Sequence, residues 1–163
     1  MNSIASAGAD AARRRRRLSR SVKESLREVN LQLALLNNQV SGHLELRGSD
    51  LACLDLISRH GPVSPSSLAR LTGLHPATMT GILDRLERAG WVSRERDPSD
   101  RRGVVIRAER SRGVEVLRAY AGMNSAMDQI CADYTDDELE LLAGFLERTA
   151  EAGRASAAEL GRH

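Results

Sequence analysis

Aromatic side chains are scarce in this chain of 163 residues: Trp91, Tyr120, Tyr134 and Phe145 make up 2% of the total. A nucleic-acid platform that stacks bases on exposed rings needs several of them on one surface, so that mode is excluded. Two cysteines, Cys53 and Cys131, make neither a disulfide framework nor a four-ligand zinc site. His43, His60, His75 and His163 are scattered without paired-ligand spacing, so no metal is expected. No apolar run nears the roughly 20 residues of a membrane span, and no apolar core flanked by a cleavage site opens the sequence. The arginine block at 13–17 leads into the polar stretch Leu18-Ser19-Arg20-Ser21, which does not fit a twin-arginine export signal. Catalytic spacings are missing as well: no Gly-rich phosphate loop, zinc-hydrolase helix or nucleophile elbow is found. The expectation is a cytoplasmic protein that is not an enzyme and has no cofactor or membrane partner.

What is present is a core and a segregated charge. Hydrophobic residues reach 41%, enough to bury the interior of one domain with helical extensions. A net charge of +2 hides blocks of alternating sign, +5 over residues 1–20, −2 over 21–58, +5 over 59–112 and −6 over 113–163. A polyanion binder needs one basic face and can leave the rest acidic. Lys23 is the only lysine, so composition explains the choice of arginine but not its clustering.

Hydrophobic periodicity predicts a mainly helical chain. Residues 1–20 read as a disordered basic arm, because small residues precede an arginine block that repels itself. A first helix is expected over 21–40, where Val22, Leu26, Val29, Leu33, Leu36 and Val40 step by four and three. A second starts near Ser49 and ends before Gly61-Pro62, and a short third, 66–71, follows Ser64 as N-cap and Pro65 as first residue. Pro76 opens a fourth helix that ends at Gly90, with Met79, Ile82, Leu83 and Leu86 on one face. Ala77, Thr80, Gly81, Asp84 and Arg88 lie opposite, with Arg85 on the flank. Residues 91–96 and 103–108 read as two short strands joined by the turn-rich Asp97-Pro98-Ser99-Asp100-Arg101-Arg102. A single fifth helix is expected over 111–133. Thr135 and Glu138 form a capping box for a sixth, whose tail frays after Gly153.

Helix, tight turn, helix is the arrangement of a DNA-reading motif. Ala69 is small enough for two helices to cross closely, Gly73 can take the positive φ of the turn, and Ile82 points back into the core. Small groups such as Thr78 and Thr80 let the start of the second helix enter a major groove. The loop that follows carries Arg101 and Arg102 at its tip. Narrow minor grooves concentrate negative potential and attract arginine, although a solvated loop charge is the plainer use of the same residues.

The string Leu68-Ala69-Arg70-Leu71-Thr72-Gly73, then Ala77-Thr78-Met79-Thr80-Gly81-Ile82-Leu83-Asp84-Arg85-Leu86-Glu87-Arg88-Ala89-Gly90-Trp91-Val92, then Arg94 and residues 97–103, resembles the MarR family of transcription regulators. The resemblance covers roughly residues 65–107. It implies a winged helix-turn-helix in each subunit of a homodimer. Residues 49–110 would be the DNA-binding lobe, with 21–48 and 111–163 as dimerisation helices in one domain spanning 21–163. The long apolar stripes at both ends of the chain, which have little else to bury them, point to the same dimer. By family pattern Thr80 and its neighbours face double-stranded DNA, Asp100 orients Arg102, and Arg102 is the minor-groove residue of the wing. Gly81 stands where many relatives place a contacting side chain, which shifts readout toward Arg85 or His75. The full set of expected DNA-contacting residues is His75, Ala77, Thr78, Thr80, Gly81, Arg85, Arg94, Asp100, Arg101 and Arg102.

The resemblance also implies release of DNA when a small phenolic or anionic molecule binds between the dimer helices and the lobe. His43, Arg47, Tyr120 and Met123 are the expected lining, though dimer core is the plainer use of Tyr120 and Met123. The function expected is a ligand-responsive repressor acting on a pseudo-palindromic operator. The alternatives are a protein–protein adaptor without specific DNA binding and a thiol-switched regulator using Cys53 or Cys131.

Overall fold

The computed structural model describes residues 2–98 and 103–161. Its elements are α1 (Asn2–His43), α2 (Gly48–His60), α3 (Pro65–Thr72), α4 (Pro76–Arg88), β1 (Val92–Arg96), β2 (Val104–Ala108), α5 (Arg110–Ala119), α6 (Ala121–Cys131) and α7 (Asp136–Leu160). The chain divides into two compact units, Met1–Gln39 and Val40–His163. The first is helix α1 alone.

Helix α1 begins well before residue 21, so the arginine block lies on helix rather than on a disordered arm. Alanine and arginine stand at the top of the helix propensity scale. Repulsion between like charges one turn apart costs only a few tenths of a kcal/mol in water, roughly what one good residue gains. Self-repulsion of the block is therefore too weak to unwind the helix.

The core of the second unit lies where α2, α3 and α4 meet β2. Leu51, Leu54, Ile57, Leu68, Met79, Ile82, Leu83, Leu86, Trp91 and Ile106 are all buried there. Each arrives on the face its spacing dictates, as on α4, where positions 79, 82, 83 and 86 share one side of the helix. Helix α2 ends at Gly61, where a Cβ would sit 2.4 Å from the Ile57 carbonyl oxygen, so only glycine lets the chain turn so closely. Just beyond, Val63 exchanges two backbone hydrogen bonds with Ile106, of 3.0 and 2.8 Å. This third rung on the hairpin was not legible in the sequence, because one residue carries no periodicity.

Strands β1 and β2 pair antiparallel with Val92 opposite Ala108 and Arg96 opposite Val104. The Arg107 guanidinium braces Glu95 across the pair at 3.0 Å. The expected fifth helix is two. Tyr120 leaves helical geometry at φ −96°, ψ 3°, ending α5 and preceding α6. Its N–H still donates to the Val116 carbonyl (3.2 Å), and its carbonyl still accepts from Asn124 (2.9 Å), so the apolar period survives the break. Glycines at 113 and 122 weaken the helix on either side. Helix α7 starts at the expected Thr135–Glu138 capping box, and continues past Gly153 to Leu160.

Candidate nucleic-acid interface

The site is built on α3, the turn and α4. Ser64 caps α3 by accepting from the Ser67 N–H at 3.2 Å, and Pro65 supplies the preset first turn. Thr72 closes the other end, its hydroxyl donating to the Leu68 carbonyl at 2.8 Å. Gly73 then takes φ 67°, the left-handed conformation that turns the chain toward α4. His75 caps α4: its Nδ1 accepts the Ala77 N–H at 3.2 Å, and Pro76 follows as first helical residue. Histidine is not a favoured cap in general, and no side-chain oxygen stands at the N-cap of α4. The ring nitrogen does the same work.

The buried face of α4 fixes what its other face presents. With Met79, Ile82, Leu83 and Leu86 in the core, His75, Ala77, Thr78 and Thr80 are exposed together at the N-terminal end. Thr80 donates its hydroxyl to the Pro76 carbonyl at 3.0 Å, which leaves the oxygen lone pairs and the methyl group facing outward. A short-sided, weakly polar helix start of this kind can approach a base-pair edge closely. Gly81 is half-buried, and a Cβ there would lie 3.6 Å from the Arg85 guanidinium.

Arg85 and Arg94 are each engaged by carboxylates within the lobe. Arg85 is bound bidentately to Asp50 of α2, Nε to Oδ2 at 3.0 Å and Nη2 to Oδ1 at 2.7 Å. The Asp50 side chain is 4% exposed, and its hydrogen bond holds the Arg85 guanidinium charged beyond its ordinary range. Arg94 of β1 reaches back to α4, donating to Asp84 at 2.5 Å and to Glu87. The two arginines tie α4 to α2 on one side and to the hairpin on the other. Burial of a carboxylate at position 50 is the signal that could have revealed this, and nothing in the sequence marks Asp50 as buried.

A third tie was also missed. Arg112 stacks its guanidinium 3.9 Å above the Trp91 ring, donates to the Ala89 carbonyl at 2.6 Å and pairs with Glu115. Exposed arginines at 70, 88 and 96 add positive charge around the helix pair and the base of the loop. Asp100, Arg101 and Arg102, expected at the loop tip, lie outside the described residues.

Of the expected effector-binding residues, His43 sits in the last turn of α1 and Arg47 is the N-cap of α2, both exposed. Tyr120 and Met123 are half-buried at the α5–α6 junction. Burial, and then the nearby carboxylate of Asp55, push the Tyr120 phenol up. Cys53 is buried, and that burial raises its thiol, with Asp50 adding to the effect and Arg85 opposing it. Among the described residues no three His, Cys, Asp or Glu side chains gather as a metal site would require. No described helix is long and apolar enough to cross a membrane.

Residues 48–104, α2 through the start of β2, match the sequence model of the MarR family. The HTH-type transcriptional regulator YcgE of Bacillus subtilis is 31% identical over 137 residues, which span 84% of this chain and 89% of that protein. The chain belongs to the MarR family. It is a DNA-binding transcriptional regulator with a winged helix-turn-helix, in which α3 and α4 form the helix-turn-helix and β1–β2 the wing. The family consists of transcription regulators rather than enzymes. The fold agrees: a crystal structure of MarR superposes with a TM-score of 0.59 at 26% identity, covering 83% of this chain and 93% of that one. The structure of a Staphylococcus aureus MepR mutant bound to an oligodeoxyribonucleotide superposes at 0.54 with 18% identity, over 80% of this chain and 96% of MepR.

Proposed function

We propose that this MarR-family regulator acts in the cytoplasm as a homodimeric repressor on a pseudo-palindromic operator and lets go when a small effector binds. The observation that carries the dimer is the unpartnered apolar surface of the terminal helices. No residue of α5, α6 or α7 is buried. Val22, Val29 and Leu33 of α1, Met127 and Ile130 of α6, and Leu142, Phe145 and Leu146 of α7 are each more than a third exposed. Side chains of this kind release about 1.5–3 kcal/mol each when fully withdrawn from water, and roughly half of that remains to be gained here. A second copy presents the same stripes, so an isologous pairing satisfies both at once.

In this reading, residues 49–110 are the DNA-binding lobe and 21–48 with 111–163 the dimer-forming segments. His75, Ala77, Thr78 and Thr80 meet the major groove, and Arg102, oriented by Asp100, enters the minor groove beside it. Arg85, Arg94 and Gly81 shape the lobe instead of touching bases. A phenolic or anionic effector would lodge by Tyr120 and Met123, with His43 and Arg47 supplying polar contacts. The raised thiol of the buried Cys53 gives no support to a redox trigger.

The test is a gel shift and footprint on the DNA flanking the gene, with sedimentation of the protein alone. A dimer that protects two half-sites centred about 34–36 Å apart is expected. Arg102→Ala should weaken operator binding by about 1–3 kcal/mol and leave the dimer intact. A stable monomer without preference among DNA fragments would refute the proposal.

A further inference from the structure

Helix α1 carries a second basic surface that the winged lobe does not use. Arg16, Arg20, Lys23 and Arg27 step by four, three and four, which places them on one side of the helix. All four are exposed, and among the described residues no carboxylate pairs with them, whereas Arg13 pairs with Asp10. Their stripe is turned roughly 120° from the apolar stripe of Val22, Leu26, Val29 and Leu33, at 100° per residue. Burying the apolar stripe therefore leaves the basic one in water. Arg15 joins these four around a shallow depression whose floor is opened by the small side chains of Ala12 and Ser19.

We infer that this stripe binds the phosphate backbone of duplex DNA, without reading sequence. The four cations extend over about 17 Å at 1.5 Å per residue. Duplex DNA offers one negative charge per about 1.7 Å of its axis, so a line of cations meets a phosphate throughout that length. Three of the four are arginines, whose planar fork suits phosphate oxygens and is more weakly hydrated than an ammonium. An anionic membrane is the rival surface for a basic amphipathic helix. Such helices insert bulky apolar residues beside their cations. Leu18, Val22 and Leu26 stand among these cations but on another side of the helix, and Val22 and Leu26 belong to the stripe that continues through Val29 and Leu33 to the buried Val40. The inference rests on the regulator's DNA binding, but not on its operator, dimer or effector.

The experiment measures binding of the full chain to a random-sequence duplex and to the operator as salt is varied. The parent is compared with the combined variant Arg16→Gln, Arg20→Gln, Lys23→Gln and Arg27→Gln, and with Glu24→Lys. Each phosphate contact contributes about 0.9 to the slope of log affinity against log salt, so four lost contacts should flatten it by about 3–4. Between about 50 and 200 mM salt the parent should lose roughly a hundredfold more affinity than the combined variant. The ratio of operator to random binding should not change. Glu24→Lys, on the rim of the same depression, should steepen the slope by about 0.9, a gain that misfolding cannot produce. Unchanged slopes on both duplexes would overturn the inference, as would loss of binding to phosphatidylserine vesicles without loss on DNA. Failure of the parent to prefer any operator would sink the repressor proposal alone, since the random duplex still reports on α1.

Discussion

Removal of Arg85 should unfold this regulator more readily without blurring its choice of sequence. The guanidinium makes two short hydrogen bonds to an Asp50 carboxylate that is 4% exposed, while the Arg85 side chain itself is 32% exposed. The pair is therefore asymmetric. Arg85→Met keeps the stem packing but strips a buried carboxylate of its two guanidinium hydrogen bonds, leaving the neighbouring Ser49 hydroxyl donating to it. Breaking a buried pair by deleting one partner costs about 3–5 kcal/mol. Solvent at the Arg85 end reduces that, and about 2–3 kcal/mol is expected. Asp50→Asn leaves a guanidinium that water can reach and should cost only about 1 kcal/mol. Urea unfolding at one fixed protomer concentration measures both, with the double variant closing the cycle. At about 2–4 °C per kcal/mol for a chain of this size, Arg85→Met should also lower Tm by roughly 5–10 °C. Below that temperature the operator-to-random affinity ratio should match the parent. Equal costs for the two single variants would refute the burial argument. A stable Arg85→Met protein with relaxed base preference would return Arg85 to the DNA.

Three further outcomes follow from the same geometry. Backbone and side-chain hydrogen bonds from Thr135 hold the Glu138 carboxyl below its usual range. The helix-capping stability is thus present above the ordinary glutamate range and disappears as pH falls through the lowered folded value, so acid titration followed by circular dichroism should show a loss that Glu138→Gln abolishes. The raised Cys53 thiol binds its proton longer in the folded than in the unfolded chain, so its contribution is complete below the ordinary thiol range and declines as pH rises beyond it; an aromatic disulfide reagent should label Cys131 well before Cys53, and equal rates would contradict the burial. Arg94→Gln should loosen the wing from α4, seen as faster amide exchange at residues 92–96 with α2 unaffected; uniform exchange would show that the Asp84 and Glu87 contacts hold nothing.

The legible parts of the fold were those written as periodicity or as local chemistry. Met79, Ile82, Leu83 and Leu86 announced the buried side of α4, Ser64-Pro65 the start of α3, Gly73 the turn, and Thr135 with Glu138 the start of α7. What stayed hidden depends on partners distant along the chain. Asp50 and Arg85 are 35 residues apart, and Arg112 and Ala89 are 23 apart, so no window of sequence brings either pair together. The break at Tyr120 was concealed because a one-residue departure preserves the spacing that the pattern records. The helicity of the α1 arginines is hidden for another reason: their charge density suggests disorder, while the intrinsic helicity of alanine and arginine outweighs it. Arg85 and Arg94 stand out in the sequence as cations, but the carboxylates they pair with, Asp50, Asp84 and Glu87, do not.

Arg112 joins three elements at one point. It opens α5, yet its side chain clasps the final carbonyl beyond α4 and lies flat on the indole at the root of the hairpin. Arg112 thus fastens α5, the end of α4 and the root of the hairpin to one another. Any twist delivered along α5 must either carry the other two with it or tear the stacked cation from its ring.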